Sequence, residues 1–366
     1  MKKMLFIKVL FTSILLFWMT ACRTPADPAG VTTKARFTID TGGFCRDLAV
    51  NDSLIVAAAD ENGYQTYRYQ LTPDSILYEL IDGVNDIDSD GAPDRLWQVE
   101  ITDKINGNEY PLFFSLDNGD AIFYQNVASP SAFNARVPAD GSANREKVRG
   151  FTVDMSSQES VILYVIKESD NTNTNFISIR KLDIQYDFFD STIVFWGAQF
   201  DMYNPLNINS SDIYYSDSTV FVANSQLGIQ TFQQLHNGGL VLKSEFDGIP
   251  GEVNEIFASN GLIVAGLSDD KGCYLALLDS NGQPTTNLRI ADGYTVRGID
   301  IYQDILALAC GPDGVLLYKV QWSGNIISAV VSGVISTEYA YAIKIVSESC
   351  IFAGTRAGIE VAFIEL

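Results

Sequence analysis

Ile305-Leu-Ala-Leu-Ala-Cys-Gly-Pro-Asp-Gly314-Val-Leu-Leu-Tyr318 is an apolar run, a polar turn ending in glycine, and a second apolar run. Each run is too short for a helix and is rich in strand formers, so the pair reads as two antiparallel strands. Gly314 supplies the positive φ that a tight hairpin demands. The same unit recurs as Leu54-Ile-Val-Ala-Ala-Ala-Asp-Glu-Asn-Gly63-Tyr-Gln-Thr-Tyr67, as Val220-Phe-Val-Ala-Asn-Ser-Gln-Leu-Gly228-Ile-Gln-Thr-Phe232, and as Ile351-Phe-Ala-Gly-Thr-Arg-Ala-Gly358-Ile-Glu-Val-Ala-Phe363. Weaker copies surround Gly119 and Gly272.

Upstream of each unit lies another strand, such as Cys45-Arg-Asp-Leu-Ala-Val50 or Val296-Arg-Gly-Ile-Asp-Ile301, and a more variable fourth follows, such as Leu240-Val-Leu-Lys-Ser-Glu-Phe246. The turn glycines 228, 272, 314 and 358 are 44, 42 and 44 residues apart; in the first half the step from 63 to 119 stretches to 56. Four strands in about 40 to 45 residues is the spacing of β-propeller blades. The expected fold is therefore all-β, with seven four-stranded blades starting near Phe44, Arg95, Val148, Ser211, Val253, Val296 and Tyr341. The last unit has only three strands, and Ala35 to Asp40 is expected to join it as the fourth, closing the sheet edges.

Ahead of this domain, Lys2, Lys3 and Lys8 precede an apolar run from Val9 to Met19, the layout of a secretory signal. Met19-Thr20-Ala21-Cys22 resembles the bacterial lipobox, which implies cleavage after residue 21 and a diacylglycerol thioether on Cys22. The division is then a signal peptide over 1–21, a Pro-rich tether over 22–34 and the propeller over 35–366. A lipid at Cys22 would place the domain on the bacterial cell envelope, at the outer membrane. Without the signal's three lysines, 21 basic residues face 45 acidic ones, a balance that argues against nucleic acid. Cys45, Cys273, Cys310 and Cys350 all fall in apolar strand-like runs and read as buried thiols.

Residues 211–366 resemble the LVIVD-type propeller repeats of bacterial surface lipoproteins. The resemblance rests on Val220-Phe-Val-Ala, Leu262-Ile-Val-Ala, Ile305-Leu-Ala-Leu-Ala and Ile351-Phe-Ala-Gly, each followed by its turn glycine; the eponymous Leu-Val-Ile-Val-Asp string is absent. It implies interaction or scaffolding, with a protein or glycan partner at the envelope.

Two constellations could carry chemistry. Asp86-Ile-Asp88-Ser-Asp90-Gly91-Ala92-Pro-Asp94 matches a calcium loop: aspartates two residues apart wrap around one ion, Gly91 permits the turn and Ala92 lends its carbonyl. Such a calcium would be structural, and the alternative is an acidic solvated turn. The first positions of the innermost strands align as Arg46, Trp97, Arg149, Ser211, Asn254, Arg297 and Tyr341. Arg46, Arg149 and Arg297 there would ring the channel mouth as an anion site. The alternative pairs each with a neighbouring blade's acid such as Asp47 or Asp300. His236, the only histidine, sits in a polar turn, and no triad, P-loop or dinucleotide fingerprint is present. The expected role is a non-catalytic binding module; the rival is a calcium-dependent envelope hydrolase, lactonase-like or glycan-active, which acids gathered round a channel metal would favour.

Overall fold

A computed structural model describes residues 31–86, 93, 95–102, 111–116, 122–126, 135–136, 147–154, 160–169, 174–187, 192–203, 209–236 and 239–365. The signal segment, Cys22, and Asp88, Asp90, Ala92 and Asp94 lie outside them. These residues form four-stranded antiparallel sheets, seven in number, each of four neighbouring strands.

The first sheet holds β2 (Asp47–Val50), β3 (Leu54–Ala58), β4 (Tyr64–Thr72) and β5 (Ser75–Val84). The second holds β6 (Leu96–Ile101), β7 (Pro111–Leu116), β8 (Ile122–Asn126) and β9 (Ala135–Arg136). The third holds β10 (Lys147–Asp154), β11 (Ser160–Ser169), β12 (Thr174–Asp187) and β13 (Thr192–Tyr203). The fourth holds β14 (Asp212–Ser216), β15 (Thr219–Ala223), β16 (Ile229–Gln234) and β17 (Leu240–Phe246). The fifth holds β18 (Val253–Ser259), β19 (Leu262–Leu267), β20 (Cys273–Leu278) and β21 (Pro284–Ile290). The sixth holds β22 (Gly298–Tyr302), β23 (Ile305–Ala309), β24 (Val315–Ser323) and β25 (Ile326–Ile335). The seventh runs β26 (Ala340–Ser347), β27 (Cys350–Thr355), β28 (Gly358–Glu365), and takes β1 (Thr32–Ile39) as its outer strand. β1 begins at Thr32, inside the stretch expected to be tether, and pairs from Thr32↔Glu365 to Ile39↔Ile359.

The innermost strands β2, β6, β10, β14, β18, β22 and β26 neighbour one another in turn, and β26 also touches β2. The second strands are sandwiched: β3, β15, β19, β23 and β27 are buried at every position. Burial of both faces explains why they read as unbroken apolar runs instead of alternating ones. Their small residues have a steric cause. A Cβ at Gly266 would sit 2.8 Å from Val296 Cγ1, and one at Gly354 would sit 2.7 Å from the Cys45 carbonyl, so the next sheet's entry leaves room for nothing larger.

The core is a series of seams between sheets. Leu262, Val264 and Leu275 of the fifth meet Leu306, Leu308 and Tyr318 of the sixth. Ala307, Val315 and Leu317 of the sixth meet Ile343, Ile345 and Ile351 of the seventh. Phe352, Val361 and Phe363 of the seventh, with Ile39, meet Leu48, Ile55 and Tyr67 of the first. Cys45, Cys273, Cys310 and Cys350 are buried and free within or beside these seams.

Five turn glycines share one geometry. Gly63, Gly228, Gly272, Gly314 and Gly358 have φ of 66°, 76°, 77°, 81° and 107°. A Cβ on each would meet the outer strand's carbonyl: Val84 at 1.8 Å, Phe246 at 2.2 Å, Ile290 at 2.3 Å, Ile335 at 2.4 Å and Ile39 at 2.3 Å. Ile39 of β1 thus stands where Val84, Phe246, Ile290 and Ile335 stand in their own sheets.

Polar side chains stitch one innermost strand to the next. Asp47 accepts from Leu48 N–H at 2.8 Å and from Val99 N–H at 2.9 Å in the second sheet. The Gln98 amide accepts from Phe151 N–H at 3.0 Å and donates to the Phe151 carbonyl at 2.8 Å, as a strand would. Asp212 accepts from Ile213 N–H and from Ile256 N–H, both at 2.8 Å, and Asp300 accepts from Ile345 N–H at 2.6 Å. An innermost strand has a ladder partner on one side only, so its outward N–H groups need these acceptors. Asp212→Ala strands two backbone donors and should lower the urea-derived stability by about 1–3 kcal/mol, whereas Asp212→Asn keeps an acceptor and should cost less. Equal stability of Asp212→Ala and wild type would mean the stitches contribute nothing.

Candidate functional site at the channel mouth

The innermost strands surround a cavity of about 740 Å³. All seven aligned positions lie on its wall: Arg46, Trp97, Arg149, Ser211, Asn254, Arg297 and Tyr341. The aligned positions therefore share one cavity wall. The acids that neutralise its arginines are not the expected ones. Arg46 Nε is 2.7 Å from Asp60 Oδ1, in the turn of its own sheet, and its guanidinium lies 5.6 Å from the Trp97 ring centroid. Arg149 Nε donates to Glu168 Oε2 at 2.6 Å. Asp47 and Asp300 serve backbone N–H groups instead. Arg297 has no carboxylate within ion-pair reach among the described residues; it lies over the Tyr339 ring, 5.4 Å from the centroid.

Further aromatic groups join the rim. Phe44 is 41% exposed and Trp97 47%, unusual for such side chains on a domain with a large core. Phe44 stacks on Tyr341 with centroids 6.2 Å apart, and Tyr341 lies 4.6 Å from Tyr339. Arg356, in the β27–β28 turn, lies 4.5 Å from the Tyr339 centroid and 5.9 Å from that of Phe44. Phe44, Tyr339 and Arg356 escaped the sequence reading because none occupies the aligned position. Phe44 and Tyr339 each stand two residues ahead of it, and Arg356 lies in a turn two residues before Gly358.

Beneath the rim the wall turns acidic, with Asp47, Glu100, Asp212, Glu255 and Asp300 facing one lysine, Lys344. Removal from bulk water pushes Glu100 up to about 8, against the pull of Lys344 and of the Val153 N–H, and with help from Asp47 and Asp212. Asp212 is likewise pushed up by burial, to about 7, while the Ile256 and Ile213 N–H groups oppose the shift. Glu255 is raised well above its ordinary range by burial and by the nearby Asp212 and Asp47, with Arg297 opposing. Among the described residues no three His, Cys, Asp or Glu side chains converge closely enough to hold a metal ion. Asp86 is described, but its four partners in the predicted calcium loop are not. His236 is an exposed turn residue, away from the cavity wall.

The signs of these shifts fix a pH dependence. Folding raises the carboxyl affinity for protons, so the folded chain holds more protons than the unfolded one between the ordinary glutamate value of 4.5 and about 8. The stabilisation is complete below that window and is lost as pH rises through it. Melting temperature should therefore fall from pH 5 to pH 9, and Glu100→Gln should flatten the slope. A Glu100→Gln profile parallel to wild type would remove Glu100 from this account.

No family model matches the chain, and no curated protein matches it. Solved structures do. The RRP9 WD40 repeats align with a TM-score of 0.60 at 12% identity, covering 93% of this chain and 99% of that one. U3-55K aligns with a TM-score of 0.58 at 12% identity over 92% and 100%. The computationally designed Ika8 protein aligns with a TM-score of 0.50 at 11% identity over 91% and 99%. At such identities the likeness concerns the fold alone: the chain is an all-β protein with the β-propeller fold of WD40 repeat proteins.

Proposed function

We propose that this chain is a lipid-anchored protein of the bacterial cell envelope whose propeller acts as a non-catalytic binding module for a protein partner. The observation that carries the reading is the rim of the cavity. There Trp97, Phe44, Tyr339 and Tyr341 alternate with Arg46, Arg297 and Arg356, the residue types that dominate protein interfaces. Asp47, Asp212 and Asp300 below are spent on backbone donors, which suits a scaffold better than a hydrolase. The Met19-Thr20-Ala21-Cys22 string supports the anchor. The LVIVD-like repeat supports the same placement.

Photo-crosslinking in envelopes of the native host tests the reading. A photoreactive residue at Trp97 should give a discrete protein adduct, and one at Gln303, at the far end of the strands, should not. Cys22→Ser should release the chain from the membrane fraction and abolish the adduct. Equal labelling from both positions, or adducts confined to envelope polysaccharide, would overturn it.

Two structural readings belong to the same proposal. The seven sheets form a closed seven-bladed ring with β1 as the outer strand of the last blade, which the β1–β28 register and the seam between seventh and first sheets support. Asp86, Asp88, Asp90, Ala92 and Asp94 hold a structural calcium, as their spacing suggests. Thermal melts test both. Deleting residues 35–41 should destabilise strongly, and chelation should lower the melting temperature of wild type but not of Asp88→Ala with Asp90→Ala. An unchanged melt in the first case, or equal shifts in the second, removes the corresponding reading.

A further inference from the structure

Among the described side chains of this acidic chain, six of eight arginines form an ion pair. Arg36 pairs with Glu360, Arg46 with Asp60, Arg68 with Glu79, Arg95 with Glu61, Arg149 with Glu168 and Arg289 with Asp292. Of the arginines whose side chains are described, Arg297 and Arg356 are the two that form no ion pair, Glu255 and Glu338 acting on them only from a longer distance. With 45 acids in the chain, two neighbouring exceptions call for a cause. They also share a neighbour, since both guanidinium groups lie over Tyr339, at 5.4 and 4.5 Å from its centroid.

The pair is built into place. Arg297 enters β22 of the sixth sheet, and Arg356 lies in the last turn of the seventh. Gly311 and Ala340 bridge the two sheets through N–H···O bonds of 3.0 and 2.8 Å, which fixes Tyr339 next to the bridge. Gly311 is at φ 57°, and a Cβ there would stand 3.2 Å from both Arg297 Nε and Tyr339 Cζ, so the glycine leaves the space they fill. Arg356 Nε also reaches the Tyr341 hydroxyl at 3.4 Å, and Phe44 flanks it. Guanidinium groups held by ring faces have already lost much of their freedom, which lowers the entropic cost of binding an anion.

We propose that Arg297 and Arg356, held by Tyr339, are a preformed receptor for a carboxylate carried by an acidic peptide segment of the partner. The inference rests on the protein-binding reading above and names the chemistry that the partner presents. Planar guanidinium forks match planar carboxylates in two-point contact. Phe44 and Tyr341 beside them offer apolar surface to the flanking side chains of a peptide. A sugar would need an open ring face to stack on, and Tyr339 already carries two cations. The carboxylate comes from an Asp or Glu side chain or from a chain terminus.

Fluorescence anisotropy at low ionic strength tests the site with labelled peptides. The probes are amidated hexaglutamate, amidated hexaglutamine and a neutral hexapeptide with a free C-terminal carboxylate. Hexaglutamate should bind wild type despite the chain's net negative charge, and salt should weaken it. Arg297→Gln with Arg356→Gln should weaken it at least about tenfold. Arg297→Lys with Arg356→Lys, which keeps the charge and loses the fork, should fall between. Arg36→Gln with Arg68→Gln should change nothing. Binding of the third probe alone would assign the site to a chain terminus. Melts of the exposed variants should overlay wild type; should the glutamine pair unfold, the lysine pair decides by its affinity. Equal affinity across the variants, equal binding of hexaglutamine, or tighter binding of oligogalacturonate than of hexaglutamate overturns the proposal. Trp97 crosslinks that persist in the Arg297→Gln, Arg356→Gln protein would sink this receptor and leave the binding module standing. Loss of crosslinks in wild type, with hexaglutamate still bound, would do the reverse.

Discussion

The architecture hangs on the innermost strand, which has a ladder partner on one side and a cavity on the other. Its outward N–H groups would be orphaned without acceptors, and orphaned buried donors are costly. The solution is a side chain from the preceding sheet: Asp47 for Val99, Gln98 for Phe151, Asp212 for Ile256, Asp300 for Ile345. These bonds set the spacing of the sheets around the axis, and the apolar seams fill the wedge between them. The acidic lining of the cavity follows from the same need. Carboxylates chosen as acceptors for backbone donors become a crowd once several sheets adopt them, and their mutual repulsion is relieved by binding protons.

The rim inverts this polarity. Above a wall of carboxylates the mouth carries arginines lying on aromatic rings, two of them forming no ion pair among the described residues. The chain as a whole is strongly negative, so the proposed acidic guest would be repelled nearly everywhere and welcomed at one place. Contrast of this kind gives specificity more readily than a uniformly basic face would, because wrong sites are disfavoured as well as the right one favoured.

Much of the fold is legible in the sequence because repetition multiplies weak signals. A single run such as Ile305–Ala309 is ambiguous, but five copies with a glycine at one place are not, since all five glycines answer the same clash with an outer-strand carbonyl. Gly272 looked like a weak copy, yet its geometry equals that of its stronger relatives. The aligned rim was legible for the same reason. What repetition cannot reveal is whatever each sheet does alone. The partners of Arg46 and Arg149 come from a turn and a second strand, and Arg356 reaches the rim from a loop, at positions that share no register. The acids of the lining do share register, since Asp47, Asp212 and Glu255 stand one residue after the aligned position and Glu100 and Asp300 three after it, but nothing in a strand's sequence says that an acid there accepts from the next sheet's backbone.

The pairing of β1 with β28 joins segments more than three hundred residues apart in the chain. Among the described strands β1 is made first, and it finds its mate only after all the others but β28 have been made. Long-range pairing of this kind carries a loop-closure cost that local hairpins avoid, and it leaves an unpaired edge exposed while it waits. The alternating side chains of β1, with Thr32, Lys34, Arg36 and Thr38 on its exposed positions, suit a strand that must stay out of trouble in the interval. Its lysine and arginine act as gatekeepers for a strand whose true neighbour arrives some three hundred residues later.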